Sequence, residues 1–228
     1  MTRSRILSIS AALAFLLGGP SVEPHNVGDA VLWNREISRI FYQRCVSCHR
    51  EDGTAFSLMT FREAQPHAAA IKDSVLSRRM PPWGAVKGFG DFRNDQALSQ
   101  EEIGLITDWV DSDTPRGNNP SVMPKEPKFS KTSPFKVPKN AILATGTLTL
   151  KSALVLDGLF PDQVPAGNTI RITAKLPDGH VEPLLWLYDY KNSAAHPFLF
   201  RKGLNLPSGT VIQGVPQNAR VFLIPGKS

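Results

Sequence analysis

The sequence predicts a multidomain α + β chain: an all-α N-terminal domain followed by a C-terminal antiparallel β-sandwich. Three observations predict it. Apolar residues recur at helical spacing as far as residue 111, and from residue 141 onward they alternate with a period of two. Between the two regimes, residues 112–140 hold Pro115, Pro120, Pro124, Pro127, Pro134 and Pro138, among several Lys and only a few acids. Such a stretch is an extended, semi-rigid spacer.

The elements follow in order. Arg3 and Arg5 precede the apolar run Ile6 to Leu17, and Gly18-Gly19-Pro20-Ser21 then breaks it. That is a secretory leader, placed at residues 1–22 and too short to span a membrane. Residues 26–44 read as a helix with Leu32, Trp33, Ile37, Ile40 and Phe41 on one side. Residues 51–60 read as a loop. Residues 62–79 read as a second helix with Pro66 in its first turn, stopped by Met80-Pro81-Pro82, because a residue before proline avoids the α region. Residues 84–98, rich in glycine, read as a loop. Ser99 with Glu102 three positions later is a capping box, so a third helix covers 99–111. After the spacer, strands fit 141–150, 153–160, 169–176, 180–190, 197–201, 209–215 and 219–224. Pro177-Asp178-Gly179 forms a hairpin turn between two of them. The resulting division is a leader at 1–22, a helical domain at 26–117, a Pro/Lys-rich linker at 118–140 and a β-domain at 141–228.

The net charge is +6. No Lys/Arg cluster is interleaved with aromatics, which excludes nucleic acid as the expected partner and leaves an acidic surface or redox protein. An exported chain with two cysteines ordinarily suggests a disulfide. Here, however, both cysteines lie in Cys45-Val46-Ser47-Cys48-His49. Two thiols three apart on a helical turn match the two vinyl groups along one edge of a porphyrin, and a histidine placed next falls under the iron. A redox dithiol would sit at the start of a helix in a βαβ context, and a zinc site would need further ligands. The expected cofactor is therefore one covalent haem c, attached at Cys45 and Cys48 with His49 as an axial ligand.

The opposite ligand has candidates in Met59, Met80 and Met123, with His67 as an imidazole alternative and an open or water-bound position as the remaining one. Met80 is favoured because two prolines stiffen the chain behind it, so less entropy is lost on binding. A thioether ligand favours Fe(II) and raises the potential relative to a second imidazole. Arg78, Arg79 and Trp83 flank Met80 and carry N–H donors suited to haem propionates. His180, beside a turn, and His196, before Pro197, read as surface loop histidines.

The runs Phe41 to His49, Met80-Pro81-Pro82-Trp83, Phe92 to Asp95 and Leu98 to Ile103 resemble the cytochrome c modules of bacterial multidomain proteins. The resemblance implies a class I-like cytochrome c fold over about residues 30–117, with His49 and Met80 as axial ligands. More weakly, Ile170 to Gly179, Leu185 to Tyr190 and Leu206 to Val211 resemble the C-terminal jelly-roll of copper type II, ascorbate-dependent monooxygenases. Residues 141–228 contain no Met, and Gly158 to Asp162 stands where a Met-x-His element is expected, so copper ligands and hydroxylase activity are not carried over.

The function expected from all this is a mono-haem electron carrier, or the electron-transfer subunit of a larger assembly. It would be periplasmic or secreted in a bacterium, with no stable membrane span after leader cleavage, and its partner would be a redox protein. The β-sandwich would serve as a docking domain. No complete catalytic or copper site is read, so an enzyme is not expected. The alternatives are a haem-containing accessory or degenerate relative of the copper monooxygenases, and a haem-tethered surface- or carbohydrate-binding module.

Overall fold

In the computed structural model the described residues are 30–93, 95–129, 135–167 and 169–226; the expected leader lies outside them. Leu32 opens the first helical run through a π-turn, Trp33–Ile37, in which the Ile37 amide donates to the Leu32 carbonyl at 3.3 Å. The run continues as α1 (Ser38–Arg44). Trp33 and Phe41 lie fully buried with their rings 5.2 Å apart, and Trp109 from a later helix closes on Trp33 at 5.8 Å. The second run starts one residue earlier than the sequence suggests. Thr60 and Glu63 form a complete capping box, α2 is Phe61–Ala64, Pro66 sits in a 3-10 turn, and α3 is Ala68–Leu76. The capping box expected at Ser99 and Glu102 is present, and α4 is Gln100–Asp111. Trp33 and Asn34 amides then donate to the Pro115 and Arg116 carbonyls, tying the first helical run to the chain that leaves α4.

Eight strands follow: β1 (Ile142–Ala144), β2 (Leu148–Thr149), β3 (Leu154–Gln163), β4 (Ile170–Lys175), β5 (Val181–Leu187), β6 (Phe198–Leu206), β7 (Val211–Gln213) and β8 (Arg220–Pro225). They form two antiparallel four-stranded sheets, ordered β1-β8-β3-β6 and β2-β7-β4-β5. The single strand expected over 141–150 is divided. Gly146, at φ +66°, turns the chain from one sheet to the other. The β4–β5 hairpin turns at Asp178-Gly179, where Gly179 adopts φ +91°. Both sheets bury their inner residues, among them Leu156, Leu159, Ile172, Leu184 and Leu223, in one shared core.

The two-body fold class expected from the sequence does not hold. Among the described residues the structure is mostly β, and the longest uninterrupted α-helix has 12 residues. Among them there is no substantial all-α, class I-like cytochrome c domain ahead of the sheets, and from Val31 onward the chain forms one compact unit. The physical reason lies in residues 83–93, Trp83 and the first part of the loop expected at 84–98. Trp83, Ala85 and Phe92 in this segment are buried in the core of the sheets. The segment also pairs with both of them: the Val86 amide donates to the Trp186 carbonyl at 2.8 Å, and the Arg93 amide to the Leu199 carbonyl at 2.9 Å. β5 and β6 are edge strands, whose unpaired backbone groups need partners. The segment between α3 and α4 supplies them.

His196 is likewise not the surface histidine expected. Its ring stacks on Trp83 at 4.7 Å and lies 4.6 Å from Phe198, and its Nε2 is buried with no hydrogen-bond partner. The expectation failed because residues 195–197 lead directly into β6, whose first residue is fully buried. His180 is exposed, 3.3 Å from Glu182. Where described, the Pro-rich stretch lies against the body. Phe129 stacks under the Arg50 guanidinium at 4.3 Å, and Phe135 meets Phe160 at 5.0 Å. Among the described residues no helix is long and apolar enough to cross a membrane.

Candidate functional site

The end of α1 forms one part of the site. Cys45 is its C-cap, with its amide bonded to the Phe41 carbonyl at 2.9 Å. The next turn is fixed through one acceptor: the amides of Cys48 and His49 both donate to the Cys45 carbonyl, at 3.1 and 3.0 Å. The chain then reverses. Ala55 donates to the Cys48 carbonyl at 3.2 Å, and Leu58 to the His49 carbonyl at 3.1 Å. Gly53 lies directly on the Cys48 carbonyl, where any Cβ would overlap it, so only glycine permits the reversal.

The reversal orients His49. Its Nδ1 lies 2.9 Å from the Phe56 carbonyl oxygen. A carbonyl only accepts, so Nδ1 carries the proton and Nε2 keeps its lone pair. A metal-ligating histidine takes this form, with its second nitrogen held by an outer partner. The Phe56 ring meets the imidazole edge-on at 4.9 Å and the His67 ring at 4.4 Å.

The thiols differ in setting. Cys48 is exposed and Cys45 half-buried, and neither is in a disulfide. Burial pushes the Cys45 thiol up to about 12; the nearby Glu102 carboxylate adds to the rise and Arg44 opposes it. A catalytic or redox dithiol requires the reverse, a thiol lowered toward thiolate. A neutral thioether carries no charge and is not penalised by the same burial. Zinc needs thiolates and further ligands, and among the described residues no group of three metal-binding side chains is present.

Met80 lines an open, largely apolar cavity of about 320 Å³, whose lining includes none of Cys45, Cys48 and His49. Val75, Met80, Leu98 and Ile103 line it from the helical side, Trp83 from the segment between α3 and α4, and Tyr188 from just after the end of β5. Glu102 acts on the Cys45 thiol and accepts from Arg44 Nε at 3.0 Å; its sequence neighbour Ile103 lines the cavity. Phe56, Leu76, Met80 and Tyr188 are unusually exposed for large apolar residues. Among Met80's neighbours, Arg78 adopts φ +54°, lines the cavity and donates from Nη2 to Gln100 Oε1 at 3.1 Å. The Arg79 amide donates to the Ser74 carbonyl while its side chain stays in solvent. Trp83 is 4 % exposed, with its ring given over to packing among His196, Phe198 and Phe92. Met59 is half-buried just before α2, and Met123 ends a 3-10 turn, Pro120–Val122.

The turn at 45–49 fits a covalently held haem, with two thiols one turn apart and an imidazole whose Nδ1 is committed to a carbonyl; the Met80 thioether and the apolar walls belong to the cavity, which that turn does not line. Sequence reasoning missed the Phe56 carbonyl, the Glu102 carboxylate and the contribution of Tyr188. Only Gly53 signalled the reversal, and nothing near Tyr188 marks it as part of the wall. No family model, curated protein or solved structure matches the chain.

Proposed function

We propose that the protein is a mono-haem c-type cytochrome that carries electrons outside the cytoplasm. The observation that carries this reading is His49 in its Cys45-x-x-Cys48-His49 turn, with Nδ1 committed to the Phe56 carbonyl and Nε2 left free. Cys45 and Cys48 would hold the group by thioethers, and His49 and Met80 would be its axial ligands. Bound there, a haem supplies reversible one-electron exchange between Fe(III) and Fe(II).

The chain's own residues do the rest. The Phe56 carbonyl fixes the tautomer and ring plane of His49 and makes Nε2 a stronger donor. The turn at 45–49 is built by backbone bonds before any ligand arrives, so little ordering cost falls on attachment. Val75, Leu98 and Ile103 would give a group bound beside Met80 apolar walls and so limit its contact with solvent. Arg78 gives the cavity rim a positive charge, suited to propionates or to an acidic redox partner, while the neighbouring Lys87 is already paired with Asp95 at 2.9 Å. The basic, apolar leader-like start supports export to a compartment where such a cytochrome works.

The test is expression of the full chain together with a haem-attaching maturation system. We expect haem colour that survives denaturing electrophoresis, one iron per chain, and its complete loss in Cys45→Ser/Cys48→Ser. A purified chain with no covalent haem, and with Cys45 and Cys48 joined in a disulfide, would refute the reading.

A further inference from the structure

We infer that residues 83–93 are a strap by which the two sheets hold the Met80 loop, so that the β part positions the sixth iron ligand. The inference rests on the function proposed above and gives the β part a task within the same site.

The strap starts three residues after Met80. Pro81 and Pro82 restrict the intervening backbone, so the position of Trp83 constrains that of the Met80 backbone from which the thioether extends. Trp83 is anchored in the sheet core by its stack on His196 and its edge contact with Phe198, at 4.7 Å each. Gly84 follows at φ +72°, and a Cβ there would lie 2.8 Å from Tyr190 Cδ2, so only glycine lets the backbone close on the core. The strap then pairs with both sheets. Val86 donates to Trp186 and Tyr188 donates to Gly84, at 2.8 Å each, along β5. Arg93 donates to Leu199 at 2.9 Å, and Arg201 to Asp91 at 2.8 Å, along β6. The Arg93 side chain completes the closure. Nη1 and Nη2 reach the two carboxylate oxygens of Asp157 at 2.8 Å each, and Nη1 also reaches the Phe200 carbonyl. On the helical side, Met80 is held by its amide bond to the Ser74 carbonyl at 3.2 Å, and the residue is 43 % exposed.

The test uses the full-length holoprotein and breaks the strap's outer clamp without touching the core. Arg93→Gln and Asp157→Asn each remove the paired ionic bond. Arg220→Gln, which removes the Arg220–Asp162 pair elsewhere on the sheets, is the control. Imidazole is titrated into the ferric protein while the weak red charge-transfer band of a sulfur–iron bond is followed. A loosened Met80 competes less well, so apparent imidazole affinity should rise about threefold in both strap variants, the scale set by a partly exposed ion pair. Arg220→Gln should match the wild type. Hydrogen exchange at the Val86 and Arg93 amides reports strap opening independently of iron. Faster exchange in Arg93→Gln with imidazole affinity unchanged would overturn the inference, and so would equal shifts in all three variants. A wild-type holoprotein lacking the sulfur band also overturns it, because Met80 is then not a ligand. A wild-type chain with no covalent haem instead overturns the function itself.

Discussion

Replacing Trp83 by leucine separates the observed fold from the one its sequence suggests. In a self-contained helical domain Trp83 would be a lid residue, and its loss would leave the sheets intact. In the structure the indole is 4 % exposed and touches His196, Phe198 and Phe92, all on the sheet side or the strap. Truncating a buried aromatic to alanine costs about 3–5 kcal/mol, and leucine refills part of that space, which brings the cost to about 2–3 kcal/mol. The lost stack and edge contacts add about 0.5–1.5 kcal/mol. With a urea m-value of about 2–3 kcal/mol/M, a loss near 3 kcal/mol lowers the unfolding midpoint by about 1 M. The corresponding drop in Tm is about 6–12 °C. Equilibrium urea unfolding followed by far-ultraviolet circular dichroism, which reports the sheets, measures it. A midpoint within about 0.2 M of the wild type would refute the placement of Trp83 in the sheet core.

His196 gives a pH prediction with a definite sign. Burial holds its pKa below the ordinary 6.5, opposed only by the Ala194 carbonyl, which accepts from Nδ1 at 2.7 Å. The groups facing it are Trp83, Tyr190 and Phe198, none of them charged. The unfolded chain therefore binds a proton that the folded chain refuses, so this contribution is complete above 6.5 and is lost as pH falls toward and through the folded value. Urea midpoints taken across that range should decline toward acid in the wild type, and His196→Phe should flatten the decline; an equal decline in both would remove His196 as its source. Separately, Ser99→Ala removes the side chain that accepts the Glu102 amide at 3.0 Å and should cost about 1 kcal/mol, read as a urea-midpoint shift.

The parts of the fold that were legible in the sequence are those whose signals are local. The capping box at Ser99 and Glu102 is a pattern of two residues, and the β4–β5 hairpin shows in strict alternation around Asp178-Gly179. The Cys45 to His49 turn is contained in five consecutive residues. What could not be read were the long-range pairings. Residues 83–93 have the glycines of a loop, at 84, 88 and 90, and their apolar members follow no helical or strand period over enough residues to register. Their structure comes from the edges of β5 and β6, about a hundred residues further along the chain. His196 misled for the same reason. Proline beside it marks a loop, but the space under that loop is filled by Trp83 from the strap. The Phe56 carbonyl is a backbone group, and no side-chain motif records it.

The two ends of the candidate site are consequently held by forces of different range. The His49 end depends on bonds that span at most ten residues: Cys45 to His49, Cys48 to Ala55, His49 to Phe56 and Leu58. Such local structure survives partial unfolding, and thioethers at Cys45 and Cys48 would preserve it covalently. The Met80 end depends on contacts about a hundred residues away, whose loop-closure entropy is repaid only while the sheets are formed. Anything that loosens the sheets, whether acid acting on His196, truncation of Trp83 or removal of the Arg93–Asp157 pair, reaches Met80 before it reaches His49. If the proposed function holds, thioether ligation would favour Fe(II), and a chain that loses Met80 first would lose driving force for accepting an electron while its covalent haem stayed attached. On this reading the integrity of the sheets sets the potential of a centre to which they contribute no iron ligand.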